Sequence, residues 1–215
     1  MVGQPSLILA SSSPRRQQIL SALGAPFDVV VADVDESPFP DEPPEQLARR
    51  LAEMKARVAA QRFPGRVAIG ADTVVALGDR TLGKPTSPDE AVRTLRELRG
   101  VEHRVITAVS GAQDGANGTN SWTDVGITRV WMRDYSDEEI AAYVATGDPL
   151  DKAGSYAIQH PIFRPVARVE GCYLTVVGLS LAALRSVLEQ ARASLPPIDA
   201  TTIEAMCPGC NCATG

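Results

Sequence analysis

The sequence predicts an α/β protein: one mixed, twisted sheet with helices packed around it. Three observations predict this class. Short apolar runs alternate with helix-like stretches through the first half of the chain, the pattern of βα units. Two consecutive strand-like runs then flank a Gly/Asn-rich turn, which makes the sheet mixed rather than purely parallel. Finally, 215 residues with 44% apolar and 22% charged side chains suit one domain, or two small lobes sharing a core.

In chain order, Ser6–Ala10 is a short apolar run and reads as a strand. Ser13 then caps a helix with Pro14 at its first position, and Gly24 stops it after Leu23. Phe27–Ala32 is a second strand, followed by an acidic, Pro-rich loop over Asp33–Pro44. A long helix runs from Pro44 or Glu45 to about Arg62, with Leu47, Leu51, Met54 and Val58 on one stripe. Val67–Leu77 is nearly continuously apolar, as a buried strand should be, and Gly78-Asp79 turns the chain. Ser87-Pro88-Asp89-Glu90 starts a helix that ends at Gly100.

Arg104–Gly111 and Thr123–Arg133 read as strands around a turn at Asp114–Asn120. Ser136 and Glu139 form a capping box for a helix closed by Gly147. Ser155–Gln159 and Tyr173–Val177 are assigned as short strands, and Leu181–Ala193 as the last helix. The expected domain is 1–195, with 196–215 a flexible, cysteine-containing tail.

Composition excludes several classes. Lys+Arg total 21 against 26 Asp+Glu, a net charge of −5, so no general basic footprint for nucleic acid exists. An anionic ligand must be held by a local cluster. No apolar run reaches the roughly 18–20 residues of a membrane span. Met-Val-Gly-Gln-Pro-Ser lacks a basic leader region, so a cytoplasmic protein is expected, with neither membrane nor nucleic acid as a partner. Of four cysteines, Cys172 stands alone and three crowd the last nine residues. Cys207-Pro-Gly-Cys210-Asn-Cys212 has a knuckle-like spacing, but a closed zinc site wants four ligands and no histidine lies nearby. The rival to a loose tail is a structural metal with its fourth ligand from the body.

Several residues could carry chemistry. Ser11-Ser12-Ser13-Pro14-Arg15-Arg16 sits at a strand-to-helix junction, where free backbone N–H groups, hydroxyls and two guanidiniums would cradle phosphate. Asp72 interrupts an apolar strand, which is costly unless the carboxylate is paired, binds metal or opens to a cleft. Lys84, in Gly83-Lys84-Pro85, is a point charge in a tight loop. Lys55 lies on the long helix. Glu36 follows a strand and could add a carboxylate to a hard-cation site. Gln159 ends Asp151-Lys-Ala-Gly-Ser-Tyr-Ala-Ile-Gln159 and offers both a donor and an acceptor to a base edge. His103 and His160 share no motif.

Taken together, these segments resemble the Maf family of nucleoside triphosphate pyrophosphatases, from Leu7 to about Leu188. Leu9–Arg16, Gly70–Val75, Gly83–Pro85, His103–Thr107, Asp151–Gln159 and Val176–Leu179 carry the resemblance. It implies hydrolysis of a nucleoside triphosphate between its α and β phosphates, with a divalent cation, Mg²⁺ or Mn²⁺. It also implies an elongated fold similar to that of inosine triphosphate pyrophosphatases, often as a homodimer. By resemblance Asp72 is the catalytic base. Asp72 and Glu36 are the carboxylates expected to hold the metal, and the sequence leaves open which of them binds it and which takes the proton. Ser11, Ser13, Arg15, Arg16, Lys55 and Lys84 hold substrate phosphates. Arg15, Thr73 and Gln159 set base preference. Arg15 resembles the branch acting on dTTP and UTP; a branch acting on 7-methyl-GTP tends to carry Trp there. His160-Pro161-Ile162-Phe163 departs from the family's Gly-rich stretch, and the tail has no counterpart. Two other readings stand beside this one: a triphosphate-binding regulator of cell division without turnover, and a pyrophosphatase for modified purine triphosphates.

Overall fold

The computed structural model describes residues 7–116 and 118–207. Met1–Ser6, where the leader reading falls, Asn117 of the turn, and Cys210 and Cys212 lie outside the described residues. The strands are β1 (Leu7–Leu9), β2 (Phe27–Val29), β3 (Val67–Leu77), β4 (Arg80–Leu82), β5 (Glu102–Gly115), β6 (Gly118–Met132) and β7 (Val166–Glu170). They form one sheet in the order β2-β1-β3-β5-β6-β7, with β4 hairpinned onto the end of β3. β1 pairs parallel with β2 and β3, and every other pairing is antiparallel. This is the mixed sheet with flanking helices that the sequence predicts.

The helices are α1 (Pro14–Ala22), α2 (Pro44–Arg62), α3 (Pro88–Leu98), α4 (Asp137–Ala145), α5 (Tyr173–Val177), α6 (Leu181–Gln190) and α7 (Ala200–Met206). The caps expected at Ser13 and Ser87 form, as does the Ser136/Glu139 capping box. The chain makes two main cores. One packs α1, α6 and α7 beside β1 and β3, around Leu9, Leu20, Ile69 and Leu184. The other packs α3 and α4 beside β5 and β6, around Leu95, Val105, Tyr135 and Ile140.

The buried face of α2 differs from the expected stripe. Leu47 and Leu51 are buried, but Met54 and Val58 are only half-buried, and Ala48, Ala52, Ala56, Ala59 and Ala60 fill the seam. These small side chains let the helix backbone lie directly on β3. A Cβ added to Gly70 would sit 2.3 Å from the Ala52 carbonyl oxygen and 2.6 Å from the Ala56 nitrogen.

Three local expectations are corrected. Ser155–Gln159 is not a strand: Ala153–Ser155 is one 3₁₀ turn, and the chain leaves it irregularly. Tyr173–Val177 is the helix α5, despite β-branched residues that favour strands. The strand beside β6 is instead β7, whose Val166 and Val169 are half-buried while Arg168 and Glu170 are exposed. The segment after Leu195 also packs. Asp199 caps α7, and Ile203 and Cys207 are buried in the α1–α6 core, with Ile198 and Met206 against it. Few apolar groups suffice there because the core already presents a surface for them.

Candidate active site

A cavity of about 700 Å³ opens between the α1 N-terminus, the carboxyl half of β3, the loop after β2 and the segment 151–159. That is an ordinary size for a small-molecule site. Every residue expected to take part in triphosphate hydrolysis lines it: Ser11, Ser13, Arg15, Arg16, Glu36, Lys55, Asp72, Thr73, Lys84 and Gln159.

Asp72 stands in mid-β3 and is 8% exposed. Its Oδ1 accepts a hydrogen bond from Lys55 Nζ at 2.7 Å. The same ammonium lies 2.6 Å from Glu36 Oε1. Lys55 reaches both because the α2 seam presses its own helix turn against β3; the lysine is itself buried. Burial pushes the Asp72 carboxyl above its ordinary range, against the pull of Lys55 and Arg16, and Glu36 raises it further. For Glu36, burial also works upward. The hydrogen bond and charge of Lys55, with Lys84 and Arg16 beyond, outweigh it and hold this carboxyl below its usual value. Two carboxylates with oppositely shifted affinities for a proton thus share one cation.

The predicted cations divide into two kinds. Arg16 is built into the wall. Its Nε donates to the Gly178 carbonyl at 2.8 Å, Nη1 to Ser11 Oγ at 3.3 Å and Nη2 to Thr73 Oγ1 at 3.2 Å. Thr73 Oγ1 lies 2.9 Å from Thr107 Oγ1, which donates to the Thr175 carbonyl at 2.7 Å. Desolvation lowers the Arg16 pKa, with Asp72 opposing. Arg15 and Lys84, by contrast, make no hydrogen bond or ion pair among the described residues, and both face the cavity. These two, with Ser13 at the α1 N-terminus, are free to meet an anion. Gln159 is exposed at the rim.

Sequence reasoning missed Thr107 and Thr175, whose roles appear only through the Arg16 chain. It also singled out Asp151–Gln159 without finding its anchor. Lys152 is buried and donates to the Asp148 carbonyl at 2.6 Å, Asp148 Oδ1 at 3.0 Å and Asp151 Oδ1 at 2.6 Å. Tyr143 donates to Asp148 Oδ2 at 2.6 Å and accepts from the Ala157 N–H at 3.0 Å. The cluster fixes the path that carries Gln159. His103 is buried; its Nε2 pairs with Tyr156 Oη at 2.7 Å and its Nδ1 has no partner among the described residues.

Fold and site together define an α/β protein with a polar cavity suited to a polyanion, centred on one buried carboxylate. The chain belongs to the Maf-like protein family, whose pattern matches residues 6–191. It is 49% identical over 207 residues to the dTTP/UTP pyrophosphatase of Thermomicrobium roseum, spanning 95% of this chain and 93% of that one. It is 45% identical over 175 residues to the dTTP/UTP pyrophosphatase of Geobacter sulfurreducens, spanning 81% and 91%. A solved HAM1 protein from Coxiella burnetii aligns with 60% of this chain and 73% of its own, at a TM-score of 0.42 and 15% identity. Among the described residues no helix is long and apolar enough to cross a membrane.

Proposed function

We propose that this protein hydrolyses nucleoside triphosphates, dTTP and UTP foremost, between the α and β phosphates, releasing the monophosphate and pyrophosphate. The observation that carries the reading is the buried Asp72 carboxylate, held through one oxygen by Lys55 in a cavity that the unpaired cations Arg15 and Lys84 also line. The names of the relatives support the same reaction and the same bases.

In this reading the triphosphate lies along the α1 N-terminus, its charge met by Arg15, Lys84 and the backbone N–H groups after Ser13. Lys55 keeps Asp72 Oδ1, so Oδ2, which has no protein partner among the described residues, takes a proton from the attacking water. The water oxygen bonds to phosphorus as the bridging P–O bond breaks, and pyrophosphate leaves with the bonding electrons. Burial raises the proton affinity of Asp72 above that of an ordinary carboxylate, which favours it as the proton acceptor.

The donors fit a hard divalent cation. Glu36 and Asp72 converge on one ammonium, and Mg²⁺ is typically held by one or two carboxylates with the substrate's phosphates. When bound there, Mg²⁺ or Mn²⁺ would neutralise charge on the phosphate oxygens. Arg15 and Gln159, which both line the cavity, would select the base. Such an enzyme would act on the cytoplasmic nucleotide pool.

The test is a panel of canonical and modified triphosphates with Mg²⁺ or Mn²⁺, scored for pyrophosphate release. Fastest turnover of dTTP and UTP is expected. Tight binding without pyrophosphate release would instead favour a regulator, and preference for a modified purine would overturn the base assignment.

A further inference from the structure

We propose that Tyr143 sets base selectivity by positioning Gln159. Tyr143 lines no part of the cavity, so it acts through the segment it holds and is a positioning residue. The inference rests on the reading that Gln159 meets the base.

Gln159 is exposed and makes no hydrogen bond among the described residues. Its amide is therefore placed by its own backbone, and about 1 Å of misplacement can cost about 10²-fold in rate. Upstream, that backbone is tied to the sheet. The Gly154 N–H donates to the Gly83 carbonyl at 3.1 Å, and Tyr156 Oη lies 2.7 Å from His103 Nε2. Two turns follow. The His160 N–H donates to the Ala157 carbonyl at 3.2 Å, and the Arg164 N–H to the His160 carbonyl at 3.3 Å.

Tyr143, buried on α4, holds this stretch on both sides of Gln159. Before Gln159, its hydroxyl accepts from the Ala157 N–H at 3.0 Å while donating to Asp148 Oδ2 at 2.6 Å. After Gln159, its ring meets His160 edge-on at 4.7 Å and stacks on Phe163 at 4.4 Å. His160 Nδ1 accepts from the Phe163 N–H at 2.9 Å and closes the second turn. Arg133 adds a hold through the Phe163 and Arg164 carbonyls, at 2.7 Å each, and both lie after Gln159. Without the Tyr143 hydroxyl the buried Ala157 N–H loses its acceptor. It would turn toward water and carry Gln159 with it, two residues on.

The experiment measures kcat and KM of the full chain for UTP and CTP with Mg²⁺, by pyrophosphate release. These nucleotides differ only at the base edge. Wild type, Tyr143→Phe, Gln159→Ala and the double variant are compared. Tyr143→Phe keeps the ring contacts and removes only the hydroxyl. It should raise the KM for UTP and cut the preference for UTP in kcat/KM about fivefold, the worth of one neutral hydrogen bond, with kcat for UTP little changed. The double variant should match Gln159→Ala alone, because Tyr143 acts through that residue. A merely structural defect would lower kcat for both nucleotides alike. His160→Asn keeps an acceptor for the Phe163 N–H but removes the ring that rests on Tyr143. It should lower the preference in the same non-additive way, and it decides the matter if Tyr143→Phe melts below the assay temperature. Unchanged preference in Tyr143→Phe, or losses that add to those of Gln159→Ala, would overturn the proposal and leave the role of Gln159 standing. Unchanged preference in Gln159→Ala would strike the base-reading role of Gln159, and the proposal with it.

Discussion

Replacing Asp72 by Asn is the most direct perturbation of the proposed chemistry. Asn keeps the shape of the side chain, and its carbonyl oxygen can still accept from Lys55 Nζ, now 2.7 Å from Asp72 Oδ1. Lys55 also keeps its second partner, Glu36. What the substitution removes is the negative charge and the proton acceptor. Loss of a general base costs ~10²–10⁴-fold in rate. At 1.36 kcal/mol per tenfold, that is about 3–5 kcal/mol on the barrier. Stability should not fall with it, because burial is the largest influence on the Asp72 carboxylate and an amide is less costly to bury. The assay is pyrophosphate release from saturating dTTP with Mg²⁺, alongside a thermal melt. The expected result is near-complete loss of turnover with an unchanged or higher midpoint. An Asn variant that keeps more than about a tenth of wild-type turnover would fall outside the range for a lost base and refute the role.

Arg15→Trp should depress turnover of dTTP and UTP by about tenfold, the value of one hydrogen bond to a charged group, and depress 7-methyl-GTP less; equal loss on all three would mean that Arg15 holds phosphate only. Gly70→Ala should force α2 off β3, costing about 1–3 kcal/mol, or roughly 2–12 °C in thermal midpoint. Because α2 carries Lys55, turnover should fall in the same variant. Burial depresses the His103 pKa from 6.5 to about 4, so between those values the unfolded chain binds a proton that the folded one does not. That stability is complete above pH 6.5 and is lost as pH falls toward 4, by about 3 kcal/mol. Denaturant titrations of wild type and His103→Gln over this range should diverge accordingly, and parallel curves would refute the shift.

Elements with local signals were legible in the sequence. Ser13, Ser87 and Ser136 announce three helices because the capping hydroxyl and its N–H partner lie within a few residues. Val67–Leu77 announces a central strand because burial on both faces leaves an unbroken apolar run. Asp72 was legible for the same reason, as the charge that breaks it. What could not be read depends on distant contacts. Tyr173–Val177 is helical although its residues favour strands, and it follows a Cys172 whose backbone is pinned by Thr128, 44 positions away. Lys55 looks like any helical lysine until α2 is laid on Gly70. The strand β7 was missed because a short edge strand carries little apolar signal. The cations look alike in sequence, yet Arg16 reaches Gly178 across 162 positions while Arg15 beside it does not.

The Arg16 chain of hydrogen bonds has a mechanical consequence. It bolts α1, β3, β5 and α5 into one rigid jaw, because each joint is part-buried or buried. The opposing jaw is built differently. Glu36 sits on an exposed loop tied to α2 by long charged side chains: Arg50 grips Glu42 and the Ser37 carbonyl and stacks on Phe39, Lys55 pairs with Glu36 itself, and Arg62 donates to the Val31 carbonyl. Lys84 and Gln159 are exposed as well. Grip on a substrate is therefore one-sided: Asp72 stands on the rigid jaw, and the give needed to admit a triphosphate and discharge pyrophosphate falls to the exposed loops bearing Glu36 and Lys84.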